Sequence, residues 1–136
     1  MTTSFLEMGV TLLDRGDADK AMTYFKEGLA LAKEVNNKVV IANALTSLAG
    51  AYKAKDSLDS ALIYYRQSLK IRTVLKMDRH IASSEMSIGE ILIQMGRYAE
   101  AEQSLKHAFE LFKKLGEKTG IVETNMAWAK AMIKQG

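Results

Sequence analysis

Few side chains in this sequence carry reactive chemistry. It has two histidines, His80 and His107, and no cysteine. A structural or catalytic metal site needs three or four ligands converging, often with two histidines four apart on one helix face. Neither histidine belongs to such a spacing, so both read as surface residues and neither a metal nor any other cofactor is expected. The pairs Asp17/Asp19 and Glu100/Glu102 could serve general acid–base work, but they fall where helices should begin, and there a carboxylate simply favours the helix dipole. No glycine-rich phosphate loop is present; the glycines sit at turns or helix crossings. The lack of cysteine excludes disulfides and thiolate nucleophiles without fixing the compartment. No enzyme is read from these residues.

Charge points the same way. The net charge of +3 is too small to argue for nucleic acid. Residues 1–40 carry 5 basic and 6 acidic side chains, 41–80 carry 7 and 3, and 81–136 carry 7 and 7. The excess therefore lies in the second segment, on Arg66, Lys70, Arg72, Lys76 and Arg79, which at helical spacing read as a solvated face. No apolar run approaches the roughly 20 residues that span a bilayer, and Met1-Thr2-Thr3-Ser4 lacks the basic and apolar stretches of a secretory signal. No membrane association is expected, and the cytoplasm is the expected compartment.

These side chains must be placed by helices. Apolar residues recur three and four apart throughout, there is no strand-like alternation, and there is no proline. A first helix carries Phe5, Met8, Leu12 and Leu13, with Thr2, Thr3 or Ser4 as N-cap, and ends at Gly16-Asp17. Further helices are expected near 18–34, 38–54, 58–75, 79–94, 98–115 and 119–134, separated by Asn36-Asn37, Asp56-Ser57, Met77-Asp78, Gly96-Arg97 and Gly116.

The pattern repeats every 40 residues. Gly9, Ala49, Gly89 and Ala129 form one column; Met8, Leu48, Ile88 and Trp128 a second; Ala21, Ala61 and Ala101 a third. Leu12, Tyr52, Leu92, Met132 and Phe25, Tyr65, Leu105 supply two more. The small columns should meet where the two helices of a hairpin cross, and the large ones should fill the space between repeats. No hairpin can bury both faces alone, so neighbours must stack into a solenoid. Turn residues every 20 positions argue against a long coiled coil.

The columns resemble the tetratricopeptide repeat (TPR). Phe5, Met8, Gly9, Leu12, Ala21, Phe25 match its pattern, as do Leu45, Leu48, Ala49, Tyr52, Ala61, Tyr65. The third repeat keeps Ile88, Gly89, Leu92 and Ala101 but has Glu85 and Leu105 at the outer positions, and a half-repeat adds Trp128, Ala129 and Met132. The period is 40 rather than the usual 34, and the late proline is absent. The longer unit looks like the repeats of kinesin light chains, cell-polarity adaptors, bacterial sensor kinases and peptide-regulated response-regulator phosphatases. The resemblance implies an all-α, right-handed superhelical solenoid of seven helices. It would be a single domain over 1–136, with repeats near 2–41, 42–81 and 82–121 and a half-repeat at 122–136.

The resemblance also implies a groove lined by the first helix of each repeat. Its residues here would be Thr3, Leu6, Val10, Leu13, Asn43, Thr46, Gly50, Lys53, Ser83, Met86, Glu90, Ile93, Glu123, Met126 and Lys130. Positions that chaperone-binding relatives use for a basic carboxylate clamp hold Leu6, Val10, Ser47, Ser83 and Ser87, and none is basic. Positions where long-repeat adaptors place asparagine hold Thr46, Ser47, Met86, Ser87, Met126 and Ala127. What remains is an apolar stripe suited to a helix or apolar peptide, with methionines that adapt to varied partners.

The expected function is therefore a protein-interaction scaffold that binds a protein or peptide in its groove. The alternative is a regulatory or sensor segment of a larger signalling protein such as a kinase, phosphatase or transcription regulator. Nucleic acid is disfavoured by Glu90 and Glu123 in the groove. Thr2 opens a repeat, Gln135-Gly136 resembles the earlier turns, and the last helix is apolar around much of its circumference. Those features lead to the expectation of an excised fragment or of self-association through that helix.

Overall fold

The connections decide the architecture. From Gly16 to Gly116 every twentieth residue has a left-handed backbone: Gly16 (φ 84°), Asn36 (53°), Asp56 (62°), Lys76 (56°), Gly96 (77°) and Gly116 (71°). Each stops a helix by the same pair of hydrogen bonds. The amide of the left-handed residue donates to the carbonyl three back, as from Gly16 to Leu13 (2.9 Å), and the next amide to the carbonyl five back, as from Asp17 to Leu12 (2.9 Å). Such closure satisfies carbonyls that the helix leaves open and turns the chain within three residues.

The computed structural model describes residues 2–135, with side chains from Phe5 to Lys134. Among them are seven helices and no strand: α1 (Thr2–Asp14), α2 (Ala18–Glu34), α3 (Lys38–Ala54), α4 (Leu58–Val74), α5 (Asp78–Gln94), α6 (Tyr98–Leu115) and α7 (Lys118–Gln135). Asp17 caps α2 by accepting from the Lys20 amide (3.4 Å), and Asn37 caps α3 by accepting from Val40 (3.2 Å). The candidate caps Thr2, Thr3 and Ser4 and the turn at Gln135-Gly136 lie outside the described side chains.

The chain forms two compact units, Met1–Ile71 and Arg72–Gly136. In the first, α2 packs on both α1 and α3. Ala21, Met22, Phe25, Leu48 and Ala51 make its main core, with Leu6, Leu12, Leu13, Leu29, Tyr52 and Tyr64 packed around them. A second cluster joins Ala32, Ile41 and Leu45. The rings of Tyr52 and Tyr64 stack 5.3 Å apart at 5°; burial, then the neighbouring Tyr52, raises the Tyr64 pKa. Ser68, fully buried, donates to the Ala42 carbonyl (2.9 Å) and shares a 2.7 Å hydroxyl contact with Thr46.

In the second unit α6 packs on α5 and α7, which also touch each other. Ala82, Ala108 and Phe112 form a core with Met86, Leu111 and Ile121 against it, and Ile88, Ile91, Leu92 and Leu105 are buried as well. Exposed ion pairs, Arg79 with Glu117 and Lys114 with Asp78, decorate the surface and contribute little.

The packing corrects two sequence-based expectations. The glycine column does not press chiefly on the alanine column. A β-carbon at Gly9 would stand 2.4 Å from Phe25 Cε1, and one at Gly89 would stand 2.7 Å from Leu105 Cδ2 but 3.5 Å from the Ala101 carbonyl oxygen. The glycines thus make room for the large column, one helical turn beyond the alanines. Arg72 is not on a solvated face: it is 6% exposed, and its Nη1 donates to Ser84 Oγ at 2.7 Å. It occupies the same core column as Ala32 and Phe112, where a long side chain reaches the short Ser84.

Candidate partner-binding surfaces

In the first unit, the inward-facing positions named from sequence divide by what they touch. Leu6 and Leu13 are half-buried and pack on the core. Leu6 fits against Gly28, whose hypothetical β-carbon would lie 3.3 Å from Leu6 Cδ2. Thr46 spends its hydroxyl on Ser68 and on the Ala42 carbonyl (3.0 Å). Val10, 45% exposed, remains accessible, and Asn43 and Lys53 are half-buried.

In the second unit Met86 also belongs to the packing: it is half-buried on the Ala82–Ala108–Phe112 cluster, 3.8 Å from the Thr124 hydroxyl through its sulfur. The sequence missed why. Gly28, Ser68 and Ala108 form a further buried small-residue column at the 40-residue period, and space beside it is filled by Leu6, Thr46 and Met86. That column was legible by the arithmetic that exposed the others.

Between α5 and α7 lies a hollow of about 600 Å³, within the range of specific binding pockets. Buried Ile93 and Ala127 contribute apolar surface to it, Met126 (66% exposed) and Ile133 (78%) stand in its wall, and Glu90, Glu123, Lys130 and Lys134 supply charge. Glu90, Ile93, Glu123, Met126 and Lys130, named as groove residues from sequence, line it together. Ile133, Ala127, Gln94 and Lys134 also line it and were not assigned to the groove from sequence.

The histidines stand apart. His80 is exposed at the start of α5. Partial desolvation, followed by the charges of Arg72 and Arg79, holds its pKa below the ordinary histidine value. His107 Nδ1 lies 3.6 Å from Glu85 Oε2. Among the described residues no group of three or more His, Cys, Asp or Glu could hold a metal, and no helix is long and apolar enough to cross a membrane.

Antiparallel helix pairs in a 40-residue repeat, stacked by alternating small and large columns, define an α-solenoid. The chain belongs to the tetratricopeptide repeat family: the family's model matches residues 1–73. A second, described as the SusR N-terminal TPR domain, matches 43–108. Among solved structures, apo RapI is similar with a TM-score of 0.92 and 22% identity over 98% of this chain and 49% of its own. Aspartyl phosphate phosphatase F from Bacillus subtilis aligns with a TM-score of 0.88 and 12% identity, over 93% of this chain and 33% of that one. A putative kinesin light chain repeat protein of Podosopora anserina gives 0.82 and 17%, over 95% and 64%. The chain spans about half the length of RapI and a third of the phosphatase. No curated protein matches the sequence.

Proposed function

We propose that the chain is a protein-interaction module that holds an amphipathic helix or apolar peptide in the hollow between α5 and α7 of the second unit. The observation that carries this reading is the hollow itself. Its surface at Ile93 and Ala127 is apolar, and Met126 and Ile133 present flexible and branched apolar side chains to an incoming residue. Carboxylates and ammonium groups at its edge can fix orientation and register. Apolar centre and charged border is the layout from which helix-in-groove interfaces draw their energy. In the first unit Val10, Asn43 and Lys53 occupy the related positions and offer a mixed surface. Leu6, Leu13, Thr46 and Met86 support these faces from within the packing, and Ile93 touches a partner only through the hollow.

A peptide selected against the chain from a displayed library provides the test. Met126→Glu should weaken its binding by at least about tenfold, since few buried apolar anchors carry most of such an interface. Arg66→Glu with Lys70→Glu should change it less than about twofold, those residues being on a second helix. The opposite pattern at two salt concentrations would move the site to the outer face and refute the hollow.

A second reading is favoured by the extent of the structural likeness. Nearly all of this chain superimposes on half of RapI and a third of phosphatase F, so the repeats suit a regulatory segment of a larger signalling protein. A reading frame that shows no kinase, phosphatase or DNA-binding domain beside these repeats would remove that reading.

A further inference from the structure

We infer that the turn edge of the second unit, residues 73–80 and 113–119, is a separate docking surface for an acidic segment of another polypeptide that carries aliphatic side chains among its carboxylates. Three observations single out this edge.

The first is aliphatic surface that the core does not use. Val74, Leu75 and Leu115 are 75%, 38% and 38% exposed. Leu75 and Leu115 directly precede a left-handed turn residue, and Val35, at the same place in the first repeat, is 70% exposed. Leu75 is followed by a whole repeat and is as open as Leu115, so the exposure belongs to the position and not to a missing neighbour. The two turns lie side by side: Arg79 pairs with Glu117, and Lys114 Nζ stands 3.8 Å from Asp78 Oδ2.

The second is charge. This edge holds 5 basic and 2 acidic side chains, and the rest of the chain holds 14 of each, so the whole formal excess of +3 sits here. Both carboxylates are engaged by the two ion pairs. Lys76, Lys113 and Lys118 are exposed and make no ion pair among the described residues.

The third is the backbone of Lys76. Of the six left-handed turn residues, the other five are glycine, asparagine or aspartate, which tolerate that conformation; lysine does not share the tolerance. An exposed side chain there returns nothing to the core, and strain of this kind gathers where a protein meets its ligands. It holds an ammonium group next to Leu75.

The same residues discriminate among anionic partners. Lipid surfaces are held by clusters of about four to eight basic side chains; this edge has three unpaired, and Asp78 and Glu117 would face the same headgroups. Nucleic acid would leave the three aliphatic side chains against phosphate, and the edge has no aromatic ring on which a base could stack. An acidic segment with leucine or isoleucine within it matches both features, the aliphatic contacts supplying anchors and the lysines steering and register. None of the edge residues lines the α5–α7 hollow.

Fluorescence anisotropy on the whole chain tests the inference, using labelled synthetic peptides in which leucines stand at several spacings among aspartates and glutamates. At least one should bind, more weakly as salt is raised. Lys76→Gln, Lys113→Gln and Lys118→Gln together should weaken it by at least about tenfold, and Val74→Ser with Leu115→Ser by at least about fivefold. Circular dichroism should show that both variants keep their helicity, every changed side chain being exposed. Serine in place of leucine in the peptide should also cost at least about fivefold. Met126→Glu, in the hollow, should change this binding less than about twofold, so failure at the edge and failure at the hollow are told apart. Four results would overturn the inference: no peptide binds, the lysine variant binds as well as wild type, the leucines make no difference, or phosphatidylserine vesicles or RNA bind this edge more tightly than any peptide.

Discussion

The ring of Phe112 occupies the space that a side chain at Gly120 would need: a β-carbon there would stand 2.4 Å from Phe112 Cδ1 and 2.5 Å from Cγ. The contact docks α7 on α6. Phe112 shares its repeat column with Ala32 and Arg72, and Gly120 shares its column with Val40 and His80. Of the three pairs only this one sets an aromatic ring against a residue without a side chain.

Gly120→Ala should therefore destabilise the second unit by about 1–2 kcal/mol, overpacking outweighing the roughly 1 kcal/mol that alanine gains over glycine in a helix. Gly50→Ala supplies the contrast. Its β-carbon would find its nearest neighbours, Leu13 Cδ2 and the Tyr65 hydroxyl, at 4.0 Å, so the propensity gain of about 0.5–1 kcal/mol should appear undiminished. Urea midpoints moving in the same direction for both variants would contradict this account.

At the crossing of α5 and α6, Ala101 is fully buried and Ala99, two positions before it, is exposed. Ala101→Leu should cost about 1–3 kcal/mol and Ala99→Leu little. Equal melting temperatures for the two variants would mean that the helix register differs from the one described.

Lys76 holds a left-handed backbone (φ 56°) at a position where three of the five equivalent turns use glycine. The strain of about 1–2 kcal/mol in an L-residue there exceeds the extra unfolded-state entropy of glycine, about 0.4–1 kcal/mol. Lys76→Gly should stabilise the protein by about 0.5–1 kcal/mol, and Gly96→Lys should destabilise it by a similar amount. A drop in melting temperature for Lys76→Gly would place the strain elsewhere.

His80 should impose a shallow acid dependence on stability. Its folded pKa lies below the unfolded value of 6.5, so between the two the unfolded chain binds more protons and stability rises with pH. The contribution is complete above the unfolded value and is lost as pH falls through the folded one. Solvent screening at this exposed site keeps it small. His80→Gln should narrow the difference between urea midpoints measured near about pH 7.5 and about pH 5.5; an unchanged difference would remove His80 as the cause.

Sequence arithmetic predicted the bounds of α2, α3 and α6 as observed and placed the ends of α4, α5 and α7 within a residue. Glycine, asparagine and aspartate mark most of the turns chemically, and helical periodicity marks the rest. Its failures were at columns of mixed chemistry. Arg72 looked solvated because its charge was read before its column, although Ala32 and Phe112 at the same position are both buried. Met86 looked free because the small residue opening space for it, Ala108, lies on the following helix. The hollow's outer members, Ile133 and Lys134, could not be assigned by periodicity alone, since how far a pocket extends depends on how two helices diverge.

The uniform turns have a kinetic consequence. Each left-handed closure joins its two helices through a connection of nearly the same length, whether it lies inside a hairpin or between hairpins. Loop-closure entropy then gives no helix pair an advantage in meeting first. Where the chain nucleates is left to local packing, and growth can proceed from there in either direction, as in a one-dimensional array. Side-chain changes such as those at Gly120 or Ala101 should therefore redirect the order of folding without altering the fold reached.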